Sequence, residues 1–307
     1  MRGRYAPVAL YHSAFKAVPV ELQSHLHNIR PEVLFDQMRY LRDHFDIVPL
    51  DHFLTVKRAF RLAAITFDDG YKSVHEHAFP ILKELKIPFA IFINGATLQK
   101  RLFWRDKVRL IVNHQLISEF ESQAKSTKKI PGLSFYRYTK DLKNNSVRVH
   151  EEIDQFLAAQ KITSSLKNHC MEDTSEFIRS PLITYGNHSH DHYLLASLTE
   201  EQQRDQIYRT HSLLQSISGI KVSKFFSIPF GGLRSFNEST VQILKSLDYK
   251  GILLSRNHLN FGFRNLNGLR VVERFMPDDE PMSVNLDRIL GRDQQRNLSD
   301  LEIMAMP

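Results

Sequence analysis

The sequence predicts an α/β fold in which alternating strands and helices build a parallel sheet. Short apolar runs recur along the chain, and the segments between them carry apolar residues at helical spacing, which is the pattern of βα units. With 307 residues the chain can bury a large core, and this length allows one α/β barrel or two smaller domains. We expect one domain over residues 1–307.

Short apolar runs are the predicted strands. Their length suits a strand and is too short for a helix. In chain order they are Val8–Tyr11, Ile47–Leu50, Ala63–Phe67, Phe89–Ile93, Leu182–Tyr185, Phe225–Ile228, Gly251–Leu254 and Val271–Phe275.

Helices are predicted between these runs. The segment Pro31–Phe45 has proline in its first turn and apolar residues on one face. Thr199 and Gln202 have the spacing of a capping box, and an apolar pattern of helical period follows them. Ser235 and Glu238 repeat that spacing and predict the start of another helix.

The stretch 98–179 fits this alternation less well. It is long, its patterning is mainly helical, and it carries the Lys-rich loop Lys125–Lys129. We expect a helical insertion whose pieces Phe103–Phe120 and Val147–Leu157 form a small cap beside the mouth of a barrel. One ordinary βα unit with a flexible loop fits the pattern equally well.

Composition excludes several kinds of site and partner. Cys170 is the only cysteine in the sequence, which rules out an intrachain disulfide and a multi-thiolate zinc site. The net charge is +7, which is compatible with peripheral contact with an anionic membrane. No basic and aromatic recognition motif accompanies this charge, so we expect no nucleic acid as a partner.

The N-terminal segment argues against export. Its first residues are basic, but the apolar run Val8–Tyr11 is too short for the core of a signal peptide. No other run approaches the roughly 18 apolar residues of a membrane helix. We therefore expect a cytoplasmic protein, with a peripheral position at the inner face of the membrane as the other option.

Two adjacent carboxylates, Asp68 and Asp69, follow the predicted strand Ala63–Phe67 and precede Gly70. This is the carboxyl end of the strand, where α/β barrels place their active sites. Because adjacent side chains diverge, one carboxylate can bind a metal while the other reaches a water on that metal. Taken alone, Asp-Asp-Gly is also an ordinary turn sequence.

Three histidines lie within five residues directly after another predicted strand, in the segment His188-Ser189-His190-Asp191-His192. If a helical turn begins at the strand end, His188 and His192 share one face at a spacing that lets two imidazoles bind one metal. With one Asp they provide a ligand set with open positions, suited to water activation on zinc or a similar divalent ion. A solvated polar turn is the alternative.

A third turn, Pro229-Phe230-Gly231-Gly232, ends the predicted strand Phe225–Ile228. Glycine lets the backbone approach a ligand and offer an N–H group to a developing oxyanion. A simple turn between a strand and a helix is the alternative.

Three motifs resemble the first three motifs of the NodB-type polysaccharide deacetylases, carbohydrate esterase family four, and they occur in the same order along the chain. The start Leu10-Tyr11-His12-Ser13 also resembles the subgroup that includes poly-N-acetylglucosamine deacetylases. The resemblance runs from about Val8 to Phe275, apart from the insertion, and implies a distorted (β/α)7 barrel, the NodB homology domain. The motifs are Thr66-Phe67-Asp68-Asp69-Gly70, His188-Ser189-His190-Asp191-His192 and Pro229-Phe230-Gly231.

The resemblance implies a role for each matched residue. Asp68 is the implied catalytic base, which activates water for attack on an acetamide carbonyl beside one divalent metal ion, expected to be Zn²⁺. The implied metal ligands are Asp69, His188 and His192. The implied substrate-binding residues are Pro229, Phe230, Gly231 and His12, with the Phe230 or Gly231 amide stabilising the oxyanion.

Two departures from the family pattern concern the base and the proton donor. The family usually places an Arg beside the base, two residues before the third-motif Pro, where this chain has Ser227. We expect Asp68 to depend on the metal and on nearby hydrogen bonds for its ionisation, unless another arginine reaches in from a different strand, for which Arg234 and Arg270 are the candidates. A clear Leu-x-His near the C-terminus is also missing, which leaves the general acid open among His12, His258 and Glu273.

The implied reaction is hydrolysis of the N-acetyl group of an acetamido sugar in a polysaccharide, an oligosaccharide or a lipid-linked glycan precursor. The expected partner is therefore an acetylated amino-sugar glycan or its carrier-linked precursor. One alternative is a deformylase or amidase that acts on a related carrier-linked sugar. Another is a carbohydrate-binding barrel with impaired catalysis, against which the complete set of base and ligands argues.

Overall fold

A computed structural model describes residues 5–58, 60–162 and 167–295, and within these ranges nine strands form one sheet. The order across the sheet is β1-β3-β4-β5-β6-β7-β9-β8, with β2 beside the start of β3. All pairs are parallel except β8 with β9. The strands are β1 (Val8–Tyr11), β2 (Asp46–Ile47), β3 (Leu62–Phe67), β4 (Phe89–Ile93), β5 (Ile183–Asn187), β6 (Lys221–Ser227), β7 (Gly251–Leu254), β8 (Arg264–Leu266) and β9 (Leu269–Glu273).

The backbone just after β9 returns to β1. The N–H of Leu10 donates to the carbonyl of Phe275 at 2.8 Å, and the N–H of Phe275 donates to the carbonyl of Val8 at 3.1 Å. Seven parallel strands, β1, β3, β4, β5, β6, β7 and β9, therefore curl around a common interior. This arrangement confirms the expected distorted (β/α)7 barrel.

Helices surround the sheet and connect its strands. They are α1 (Pro31–His44), α2 (Phe79–Glu84), α3 (Trp104–Asn113), α4 (Ile117–Gln123), α5 (Phe135–Tyr138), α6 (Ser146–Ala159), α7 (Glu200–Ser216), α8 (Glu238–Ser246) and α9 (Met282–Gln295). In the part of the chain that the structure describes, no helix is long and apolar enough to cross a membrane.

Several predicted elements differ from the structure in their bounds. Strands β6 and β9 begin before the predicted strands Phe225–Ile228 and Val271–Phe275 and also end before them. The expected strand Ile47–Leu50 ends at Ile47, because Pro49 offers no N–H to a ladder and a 3-10 helix begins at Leu50. Helix α8 is capped by Asn237, whose side chain accepts the Thr240 N–H at 3.2 Å. The hydroxyl of Ser235, the expected cap, instead accepts the Gly232 N–H.

The stretch 98–179 carries helices α3 to α6 between the neighbouring strands β4 and β5. Its apolar side chains, including Trp104 and Phe120, share a buried cluster with Ile228 and Leu254 of the barrel. Residues 163–166 of this stretch lie outside the described residues, as do the basic residues 1–4 and the C-terminal residues 296–307 of the expected domain. That the stretch 98–179 is a separate insertion stays a prediction.

Candidate active site

The functional side chains meet where the parallel strands end. His12 directly follows β1, Asp68 follows β3, His188 follows β5, and Arg274 follows β9, while Phe230 lies in the turn after β6. All but Phe230 and His12 are buried. The carboxyl ends of parallel strands lie on one face of a barrel, so residues far apart in sequence share one cavity.

Asp69, His188 and His192 form a compact group of metal-ligand atoms. The Oδ1 atom of Asp69 is 3.6 Å from Nε2 of each histidine. Ligands on a tetrahedral zinc ion, at about 2.0 to 2.1 Å from the metal, are separated by roughly 3.4 Å. The spacing and the donor types therefore fit a divalent ion such as zinc.

The expected helical turn that would place both histidines on one face is wrong. An irregular loop follows β5, with φ of 65° at Ser189 and 57° at His192. Asp69 also has a positive φ, of 70°. Such conformations are uncommon outside glycine and cluster at functional sites. The loop nevertheless brings the two imidazole rings to 4.6 Å.

Neighbouring groups fix the orientation of these side chains. The Nδ1–H of His188 donates to the carbonyl of Ser227 at 2.8 Å, which leaves its Nε2 as an electron-pair donor. The side-chain amide of Asn94 donates to Asp69 at 3.2 Å. The ring of His192 lies edge-on to the rings of Phe103 and Phe230.

Asp68 is held by a cation that follows the last barrel strand. Both terminal nitrogens of Arg274 donate to the carboxylate, each at 2.8 Å, and the Ser227 hydroxyl donates to it at 3.0 Å. An arginine therefore does reach Asp68, so the expectation that its ionisation depends on the metal is wrong, and neither candidate, Arg234 or Arg270, is that arginine. Arg234 is exposed. Arg270 donates to the backbone carbonyls of Phe53 and Val56, away from Asp68.

The pKa values of the two neighbouring carboxyl groups are shifted in opposite directions. Burial raises the pKa of Asp68, but the charge of Arg274, with a smaller contribution from the neighbouring His188, outweighs burial and holds that pKa at about 2. Burial raises the pKa of Asp69 to about 6, because the opposing effect of His188 is only partial and Asp68 repels a second charge. Asp68 is therefore ionised at neutral pH even without a metal ion. A bound cation would lower the raised pKa of Asp69 and favour its ionised form.

The structure separates the three candidate proton donors. His12 lines the cavity, and its Nδ1 lies 3.3 Å from Nδ1 of His27. His258 is paired with Asp293. Glu273 accepts from the Arg256 guanidinium through both oxygens and is not part of the cavity wall.

The cavity above the carboxylates has a volume of about 240 Å³. Of the expected substrate-binding residues, His12 and Phe230 line it, whereas Pro229 and Gly231 build the turn beside it. The Gly231 N–H donates to the carbonyl of Ile228 at 2.9 Å, which favours the Phe230 amide as the oxyanion donor. Sequence reasoning missed a group of wall residues from the stretch 98–179. They are Phe103, Arg105, Arg109, Tyr136 and Lys140.

The comparison with known families agrees with the motifs and the fold. Residues 55–252 match the family model for polysaccharide deacetylase. The chain belongs to the polysaccharide deacetylase family. It is accordingly a hydrolase of N-acetyl amide bonds, in a family that deacetylates acetylated sugar polymers. No curated protein matched the chain.

Solved structures of deacetylases share this fold at low sequence identity. The Streptococcus pyogenes deacetylase PplD, in complex with acetate, is 14% identical with a TM-score of 0.55, over 93% of this chain and 97% of that one. IcaB from Ammonifex degensii is 17% identical with a TM-score of 0.55, over 94% and 97%. A de-N-acetylase from Aggregatibacter actinomycetemcomitans is 13% identical with a TM-score of 0.56, over 92% and 99%.

Proposed function

We propose that the protein removes the N-acetyl group of an acetamido sugar within a glycan or glycan precursor, with one divalent ion, Zn²⁺, held by Asp69, His188 and His192. The observation that carries this proposal is the convergence of those three ligands with an arginine-held Asp68 beneath one cavity. Membership of the polysaccharide deacetylase family supports the reaction type.

A divalent ion at this place would lower the pKa of a water ligand and polarise the acetamide carbonyl. Asp68 then needs little basicity of its own to accept a proton from the attacking water. Its Oδ2 accepts from both Arg274 and the Ser227 hydroxyl, whereas its Oδ1 accepts only one hydrogen bond from Arg274. A carboxylate oxygen has two lone pairs, so one lone pair of Oδ1 remains for that water. The Arg274 clamp fixes the direction in which the carboxylate points.

His12 is the proposed donor of a proton to the departing amine. The Nε2 of His27 lies 2.7 Å from the carbonyl of Pro277, so its proton resides there and its Nδ1 accepts the Nδ1–H of His12. This relay leaves Nε2 of His12 to take up and return a proton. Burial and the neighbouring His27 hold the pKa of His12 well below its usual value, so the ring is neutral at rest. The proton that it would give to the amine is therefore the one that Asp68 accepts from the attacking water and passes to Nε2 of His12.

The complete set of base and ligands disfavours a barrel that only binds carbohydrate. The family's motif arginine is replaced by Ser227 in this chain, which was one reason to consider impaired catalysis. Arg274, which follows β9, instead places a guanidinium beside Asp68. The remaining candidate, a deformylase, differs in the acyl group that the cavity must hold.

Acyl release from N-acetylglucosamine oligomers tests this proposal, with N-formyl oligomers as the comparison. We expect acetate release by the wild-type protein and loss of release in Asp68→Asn. Metal-loaded wild-type protein that releases formate but no acetate would make it a deformylase. Release of neither product, from monomers or oligomers, would contradict the proposed function.

A further inference from the structure

One wall of the cavity carries cations that the deacetylation chemistry does not use. Arg105 and Arg109 come from α3, and Lys140 follows α5. Arg109 is neutralised by Asp106, with 2.5 Å between Nη1 and Oδ1. Arg105 and Lys140 have no carboxylate within 4.0 Å among residues 5–58, 60–162 and 167–295. Two positive charges in this wall therefore lack a counter-charge.

Arg105 is buried deeply, with 1% of its surface exposed, yet its acceptors are neutral. It donates to the Thr139 hydroxyl at 3.1 Å and to the Tyr136 carbonyl at 2.9 Å, and its Nε has no partner in the described structure. Its guanidinium lies 4.3 Å from the centre of the Tyr136 ring. These contacts fix the position of the charge without neutralising it.

Lys140 is held in a similar way. Its Nζ lies 4.7 Å from the centre of the Tyr136 ring and 4.8 Å from that of Phe230. Burial, reinforced by Arg105 and opposed by Tyr136, lowers the pKa of Lys140 to about 8. Burying a charged group without a partner is costly, so a ligand that brings the opposite charge would be bound favourably.

The cationic wall lies next to the proposed metal ligands. The Phe230 ring touches both sides, since its centre is 4.6 Å from the His192 ring and 4.8 Å from Nζ of Lys140. A substrate whose acetamido group reaches His192 would therefore place a neighbouring substituent beside Lys140. Arg105 faces the same ring, at 5.7 Å.

We propose that Arg105 and Lys140 form a subsite that binds an anionic group of the substrate. The preferred substrate is then an acetamido sugar that also carries a phosphate or a carboxylate close to the acetamido group. This inference rests on the proposed function, because it places that substrate in the deacetylation cavity. The subsite accounts for the cations that the stretch 98–179 contributes, and it narrows the substrate class from neutral to anionic amino sugars.

Binding and hydrolysis of four sugars test the subsite. They are N-acetylglucosamine, its 1-phosphate, its 6-phosphate and N-acetylmuramic acid, whose charge is a carboxylate. Dissociation constants are measured by isothermal titration, and acetate release is followed in parallel. The proteins are wild type, Lys140→Gln, the charge-retaining Lys140→Arg, and Lys143→Gln, which removes an exposed lysine three residues away.

We expect at least one charged sugar to bind the wild type more tightly than N-acetylglucosamine. Lys140→Gln should weaken that binding about tenfold or more, the usual effect of losing a charged hydrogen bond, and should change N-acetylglucosamine binding less than twofold. Lys140→Arg should restore the preference and Lys143→Gln should retain it. The sugar that responds shows whether the anion is a phosphate or a carboxylate.

An equal affinity for neutral and charged sugars would overturn the subsite. So would a preference that survives Lys140→Gln, because Lys140 would then take no part in binding the anion, or one that Lys143→Gln weakens as strongly. Isothermal titration measures binding of the sugar whether or not the protein releases acetate from it. Preferential binding without acetate release would support the subsite while contradicting the proposed function, and acetate release without preference would do the reverse.

Discussion

Replacing Arg274 by Gln should raise the pH at which the enzyme loses activity in acid. Arg274 is fully buried and donates to both carboxylate oxygens of Asp68 at 2.8 Å. Its charge favours the ionised carboxylate, so its removal raises the pKa of Asp68. Because Asp68 must be ionised to accept a proton, activity should then fall at a higher pH on the acidic side.

The magnitude follows from the separation of the charges. At about 4 Å between charge centres and an effective dielectric constant of about 20, the attraction is about 4 kcal/mol. At 1.36 kcal/mol per pKa unit, this corresponds to roughly three units. The pKa of Asp68 should therefore move from about 2 to about 5. Leaving Asp68 without its partner should also lower the free energy of unfolding by about 3 to 5 kcal/mol.

The assay is kcat/KM for acetate release between about pH 4 and 8, with thermal unfolding of each variant measured in parallel. Arg274→Lys keeps the charge and should keep most of the low acidic limb. Arg270→Gln removes a guanidinium of β9 that does not contact Asp68, and should leave the limb unchanged. If folded Arg274→Gln lost activity uniformly, without any movement of its acidic limb, the electrostatic role would be refuted.

Three further predictions concern the metal, the base and the Lys-rich loop. His188→Ala and His192→Ala should each lose bound metal in elemental analysis, and full metal content in both would remove this ligand set. Asp68→Asn should keep the metal and lose roughly two to four orders of magnitude in kcat, whereas parallel loss of metal would make it a ligand. Three backbone N–H groups of the loop donate to Glu152 at 2.6 to 2.8 Å. Shortening Lys125–Gly132 should change KM for a long glycan, and unfolding would show that the loop is structural.

The barrel could be predicted because several of its strands are continuous apolar runs that are fully buried. The runs Val8–Tyr11, Phe89–Ile93 and Gly251–Leu254 are strands with the same bounds in the structure. Cap residues were harder, because Ser235 and Asn237 are both good caps and only the path of the backbone decides between them. Asn237 lies at the position where the side chain meets the Thr240 N–H.

The site was partly accessible from sequence. Asp68, Asp69 and the two histidines directly follow apolar runs, and that position predicts convergence in a barrel. Arg274 has the same position after the last strand, and the carboxyl-end rule favours it over Arg270, which lies near the start of that strand. The wall residues from the stretch 98–179 have no such signal. Their place depends on how α3 and α5 pack over the barrel, which is a tertiary property.

The most direct test of the central claim is reconstitution with metal. Zn²⁺ is titrated into chelator-treated protein while acetate release from N-acetylglucosamine oligomers is measured. Because Asp69, His188 and His192 form one ligand set, we expect release to rise from near zero and to level off at one ion per chain. Full acetate release by metal-free protein would contradict the account.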